Sequence, residues 1–136
     1  MRSSSVPPAV VLGASPLTVE QVVAVARRDA PVVLAEETLA RIRRTREVID
    51  ALAGDTVPHY GISTGFGALA TTSIPPEKRA QLQRSLIRSH AAGSGAEVER
   101  EVVRALMLLR LATLATGRTG VQERTAATYA AMLTAG

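Results

Sequence analysis

The chain has 136 residues and a formal net charge of +4; 46% of its residues are apolar but only 2% are aromatic. It has no cysteine and only two histidines, which excludes disulfides, thiolate nucleophiles and Cys-based zinc; no metal-ligand spacing appears. The length suits one compact domain with a core of Leu, Val, Ile and Ala.

Every basic residue except Lys78 is an arginine, and these alternate with acids, as from Glu36 to Asp50. Mixed-sign helix faces without interleaved aromatics read as solvated surface, so no nucleic-acid partner is expected. No apolar run reaches the ~18–20 residues of a membrane span, so no membrane partner is expected either. Residues 1–8 carry no sustained apolar segment and read as a disordered tail, not a signal peptide. A cytoplasmic location is the resulting expectation.

In chain order, Ala9-Val10-Val11-Leu12 is a β-branched run closed by Gly13 and predicts a short strand. Thr18 with Gln21 has the spacing of a capping box, and Val19, Val22, Val23 and Ala26 follow at helical period. Ala30-Pro31 ends that helix, because proline bars its predecessor from the helical region. Val32-Val33-Leu34 predicts a second strand paired with the first. A helix over 36–53 follows, with Leu39, Ile42, Arg46, Ile49 and Leu52 on one face and Gly54 at the C-cap position. Arg46 on that apolar face is expected to snorkel or to meet a carboxylate.

Residues 54–75 have neither helical nor strand period. They hold Tyr60-Gly61-Ile62-Ser63-Thr64-Gly65-Phe66-Gly67, a long Gly-rich loop that contains the only Phe. Irregular segments of this length inside a domain are usually functional or disordered, and the apolar content here argues against disorder. Pro75-Pro76 opens a helix to about Ala92, which Gly93-Ser94-Gly95 breaks. A helix over about 97–116 is apolar almost all round, which predicts burial on most sides. Thr119 and Gln122 suggest a second capping box before a last helix over about 121–134. The fold class is therefore mainly α, with a short two-stranded β element near the N-terminus.

Taken alone, Tyr60 reads as an amphipathic side chain at a loop edge. To act as a base, a phenol with an ordinary pKa of about 10 needs positive surroundings, which the helix start at Pro76 and nearby arginines offer. His90 stands near a helix C-terminus, where imidazole is comfortable and where it can also orient a ligand or handle a proton. His59 reads as structural. Gly65-Phe66-Gly67 lacks the preceding strand of a dinucleotide fingerprint, and no nucleophile elbow or phosphate loop is present.

The stretches Tyr60–Gly67, Gln81–Gly95 and Arg104–Arg110, in this order and spacing, resemble the amino-terminal part of the aromatic amino acid lyase family. Ser89-His90-Ala91-Ala92-Gly93 points to its histidine ammonia-lyase branch, since the phenylalanine and tyrosine branches tend to differ at the Ser89-His90 pair. Ser63 stands where the family commonly has asparagine.

The resemblance implies elimination of ammonia from L-histidine to give urocanate, in a homotetramer whose active sites draw on several subunits. Tyr60 would be the base for the β-proton, and His90 and Ser89 would bind substrate. Gly61, Gly65 and Gly67 would let the loop fold over the pocket. The family's electrophile is a methylidene-imidazolone (MIO) formed from an Ala-Ser-Gly, and these residues contain none: Ala14-Ser15 precedes Pro16, and Ser94 lies between glycines. Residues 9–136 therefore read as the amino-terminal segment of a lyase whose catalytic domain is incomplete, inactive alone and without cofactor. The alternatives are a tyrosine or phenylalanine ammonia-lyase, an aminomutase fragment, or a non-catalytic helical interaction module.

Overall fold

The computed structural model describes residues 7–13 and 15–136, so most of the expected tail, residues 1–6, lies outside the described residues. The elements are β1 (Val10–Leu12), α1 (Val19–Arg28), β2 (Val32–Leu34), α2 (Glu36–Ala53), α3 (Pro76–His90), α4 (Arg100–Ala115) and α5 (Glu123–Ala135), with one 3-10 turn at Gly67–Leu69. The chain is mainly helical, as its periodicity predicts. The two strands pair in parallel, with Val10 opposite Val32 and Leu12 opposite Leu34. A parallel pair needs a crossover, and α1 supplies it.

Instead of one domain, the chain forms two compact units: the residues up to Arg46 with Val98–Gly136, and Glu47–Glu97. The physical reason is where the apolar core sits. Every fully buried large aliphatic side chain (Val25, Ile42, Leu108, Leu111, Leu114, Leu133) belongs to the first unit. Each such side chain contributes roughly 1.5–3 kcal/mol by burial. In the second unit the buried side chains are the polar pair Ser63 and Thr64, and α3 buries none.

In the first unit α4 packs against both α1 and α5, and α5 packs against β2. Arg104 of α4 is only 4% exposed. Its Nε donates to the Val25 carbonyl (3.0 Å) and its Nη2 to the Leu133 carbonyl (2.9 Å), so one guanidinium joins three helices. Nη2 also lies 3.2 Å from Asp29 Oδ1. Asp29 ends α1 in the left-handed region (φ 55°), earlier than Ala30-Pro31 would, and its carboxylate also accepts from Arg100 at 2.9 Å. Thr134, in the last turn of α5, meets the strand edge. Its Oγ1 accepts from Val32 N–H (3.1 Å) and donates to the Val32 carbonyl (3.4 Å).

Thr18 and Gln21 form the expected capping box with both reciprocal bonds. The one expected at Thr119 and Gln122 does not form. Gly120 takes φ 69°, which a helix start cannot accommodate, and α5 begins only at Glu123. Gly117 also takes a positive φ and closes α4; a Cβ there would come within 2.7 Å of Arg41 Cβ. Gly54 does not adopt the left-handed cap; it closes α2 through a tight bond from its N–H to the Ala51 carbonyl at 3.0 Å. Arg46 donates to the Gly120 carbonyl at 3.3 Å. α4 starts at Arg100 because Glu99 is extended (ψ 137°), and it is not buried on most sides: Val102, Leu106 and Leu109 face outward. Among the described residues no helix is long and apolar enough to cross a membrane.

Candidate functional site

The Gly-rich loop belongs to the second unit and is organised from the backbone outward. The His59 carbonyl accepts the N–H groups of Ile62 and Ser63 (both 3.0 Å) and of Thr64 (3.3 Å). In return Ser63 Oγ accepts from His59 N–H at 2.8 Å. Thr64 Oγ1 accepts from Gly61 N–H at 3.3 Å and donates to the Gly65 carbonyl at 3.1 Å. Ser63 and Thr64 are each 3% exposed, so their hydroxyls take the place of an apolar core within the loop. An isolated antiparallel bridge, Thr64 to Ser73, pins the returning chain, with Gly65 N–H to Thr72 (3.2 Å) and Ile74 N–H to Ser63 (2.8 Å). The loop thus has local order that hydrophobic period does not reveal.

The loop glycines differ in purpose. Gly61 and Gly67 take positive φ (71° and 55°), a region where a Cβ is costly. Gly65 is needed for space: a Cβ there would stand 2.5 Å from Leu69 Cβ.

Tyr60 lies on this scaffold with its side chain outward, 65% exposed overall. Its ring meets Phe66 edge-on, with centroids 5.9 Å apart and planes at 79°. Such a pair contributes about 0.5–1.5 kcal/mol beyond area burial. One residue earlier, His59 Nε2 donates to Asp55 Oδ2 at 2.9 Å. That bond, followed by one from Val57 N–H, holds the Asp55 carboxyl below its usual range. The expected positive surroundings of Tyr60 are not supplied by Arg79. Its guanidinium donates to the Ile74 (3.0 Å) and Ala53 (2.7 Å) carbonyls instead.

Ser89 and His90 occupy the last turn of α3, both exposed. His90 Nδ1–H donates to the Leu86 carbonyl at 2.9 Å and lies 3.0 Å from Ser89 Oγ, which bonds the same carbonyl at 2.9 Å. A neutral imidazole so bonded keeps its lone pair on the outward Nε2. The structure therefore groups Tyr60 with Gly61, Gly65 and Gly67 on one scaffold, and Ser89 with His90 on another. It shows no hydrogen bond between the two groups among the described residues. Sequence reasoning missed the Asp55–His59 pair, and no local signal pointed to it, because the two residues lie on irregular chain beyond the end of α2 where the helical four-residue spacing does not apply.

The aromatic amino acid lyase family model matches residues 17–136, and the chain belongs to that family. Among curated relatives, histidine ammonia-lyase of Streptomyces coelicolor is 57% identical over 127 residues, which are 93% of this chain and 25% of that protein. Histidine ammonia-lyase of Anaeromyxobacter dehalogenans is 47% identical over 126 residues, with the same coverage. The chain thus spans about a quarter of the length of these relatives. Among solved structures, histidine ammonia-lyase from Trypanosoma cruzi superposes with TM-score 0.81 at 35% identity, covering 93% of this chain and 24% of that one. Tyrosine aminomutase from Streptomyces globisporus gives 0.86 at 33%, with the same coverage.

Proposed function

We propose that the chain is the amino-terminal part of a cytoplasmic histidine ammonia-lyase, contributing to elimination of ammonia from L-histidine to give urocanate. In that reaction the Cα–N bond breaks, ammonia leaves, a β-proton is removed and the side chain becomes conjugated with a new C=C bond. Tyr60 takes the β-proton as phenolate. His90 and Ser89 bind on the substrate side, with Nε2 of His90 as the outward acceptor. Gly61, Gly65 and Gly67 shape the loop that carries the phenol. The observation that carries this reading is the identity to histidine ammonia-lyases across nearly the whole chain. It is supported by a phenol held outward on a buried hydroxyl scaffold.

In the family, the electrophile makes the amine a better leaving group. The residues present do not fit its formation. A ring closed on a tripeptide backbone needs a nucleophilic N–H after the serine, and Pro16 after Ser15 has none. Ser94 lies in an exposed stretch where a Cβ on Gly93 or Gly95 would touch nothing within 4 Å, so no cradle surrounds it. We therefore assign the chain only proton and substrate handling, and expect it to be inactive alone, with a homotetramer of full-length subunits as the active form.

A chimera in which these residues replace the matched quarter of the Streptomyces coelicolor relative tests the reading, with urocanate absorbance as the readout. Turnover is expected in the chimera and not in the isolated chain. Tyr60→Phe in the chimera is expected to lower kcat by roughly 10²–10⁴-fold, the range for loss of a general base. Unchanged kcat would remove Tyr60 from that role. The likeness to tyrosine aminomutase favours a second reading, an aminomutase. A panel of histidine, tyrosine and phenylalanine separates the two: conversion of tyrosine to its β-isomer would replace the histidine assignment.

A further inference from the structure

One side chain joins the two ends of the irregular segment between α2 and α3. Arg79, at the end of the first turn of α3, donates from Nη1 to the carbonyl of Ala53 (2.7 Å), the last residue of α2. Its Nε donates to the carbonyl of Ile74 (3.0 Å), two residues before α3 begins. A single half-buried guanidinium therefore closes the neck of the loop that carries Tyr60.

Each end gains a partner it lacks. The last carbonyls of a helix have no intrahelical donor. At the end of α2, Gly54 N–H takes the Ala51 carbonyl (3.0 Å) and Asp55 N–H takes that of Leu52 (3.3 Å). The last turn of α2 holds no basic residue, so the cation that suits a helix C-terminus comes from α3. Ile74 is held on its other side too, because its N–H donates to the Ser63 carbonyl at 2.8 Å. Ser63 N–H reaches the His59 carbonyl (3.0 Å), and Ser63 Oγ accepts from His59 N–H (2.8 Å). Tyr60 follows His59 directly, so an unbroken path of hydrogen bonds leads from Arg79 through Ile74, Ser63 and His59 to the backbone of the phenol.

We propose that Arg79 is a positioning residue for Tyr60: by joining the Ala53 and Ile74 carbonyls it fixes the neck of the loop and, through it, the place of the phenol. This rests on the base role given to Tyr60 above. Arginine suits the task because its planar fork reaches two acceptors at once, whereas a lysine ammonium is a point donor on a flexible stem. Ser89 and His90 stand at the far end of the same helix, about 16 Å from Arg79 at 1.5 Å per residue. Loss of Arg79 therefore disturbs the base before it disturbs the substrate contacts.

The chimera with the Streptomyces coelicolor relative tests the proposal. Arg79→Met keeps the aliphatic stem and removes the donors. It is expected to lower kcat roughly 10–10²-fold, the range for a misplaced catalytic group, with KM changed far less. The primary isotope effect with β-deuterated histidine is expected to rise, because removal of the β-proton becomes slower. A fold defect alone would lower the active fraction and leave that isotope effect as it was. Arg79→Lys is expected to restore only part of kcat. Unchanged kcat, a fall in kcat with an unchanged isotope effect, a change confined to KM, or full recovery with Arg79→Lys would each overturn the proposal.

A second measurement needs no turnover. In the 136-residue chain, Arg79→Met is expected to reduce protection of the Ser63, Thr64 and Ile74 amides at least roughly tenfold. Leu108 and Leu111 of α4 belong to the other unit, and their protection is expected to stay the same. Unchanged protection of the loop amides would overturn the proposal. If the unsubstituted chimera does not turn over histidine, the histidine-lyase reading falls, and this exchange result alone decides for or against Arg79 as the neck of the loop.

Discussion

At the scale of single residues, the loop depends on hydrogen-bonding hydroxyls and on missing side chains. Gly65→Ala places a methyl group 2.5 Å from Leu69 Cβ and 3.1 Å from its carbonyl oxygen. An overpacking cost of about 1–3 kcal/mol is expected, read as faster proteolysis within residues 60–74. Asp55 makes a different prediction. A carboxyl held below its ordinary range by His59 stabilises the folded loop above its unfolded-state pKa. That contribution disappears as pH falls through the lower folded value. Protection of the Ile62, Ser63 and Thr64 amides, taken relative to their intrinsic exchange rate at each pH, is therefore expected to fall below the ordinary carboxylate range. Asp55→Asn is expected to remove that acid-dependent step, and an unchanged pH profile in the variant would exclude the Asp55–His59 link as its source. The glycine loop could be picked out from sequence because its spacing is unusual, whereas a role for Tyr60 follows only from the family resemblance. The buried hydroxyls of Ser63 and Thr64 could not be picked out, since a polar residue in a loop carries no sign that it is inside.

At the scale of elements, Arg104 has the largest consequence. It satisfies carbonyls of Val25 and Leu133 where water cannot reach. Arg104→Ala is expected to cost roughly 1–3 kcal/mol for each buried carbonyl left unpaired, and thermal unfolding would measure it. Helical spacing shows Arg104 aligned with Leu108 and Leu111, so its face could be read from sequence, but its three-helix role needed the tertiary contacts. Local chemistry was legible where it competed with nothing, as in the Thr18–Gln21 box and the bounds of α2. It failed at Thr119–Gln122, where left-handed Gly117 and Gly120 let the connection approach α2: the Gly117 carbonyl accepts from Thr45 Oγ1, and the Gly120 carbonyl from Arg46. The predicted burial of α4 was right in pattern and wrong in extent, because periodicity reports what a helix can bury and not what is there to cover it.

At the scale of the whole molecule, the two units hold themselves together by different means. One has an aliphatic core; the other relies on backbone bonds and two buried hydroxyls. Local opening free energy follows buried apolar contact, so α3 amides are expected to exchange at least tenfold faster than those of α4. Hydrogen exchange with mass spectrometry tests this, and equal protection would show that α3 is stabilised by something other than its own burial.

A two-stranded sheet would ordinarily leave Val32 offering a free donor and acceptor to any passing chain. The Thr134 hydroxyl occupies both. A single side chain from the last turn of α5 thus acts as a stand-in for a third strand, which ends the sheet and denies that edge to fibril-like growth.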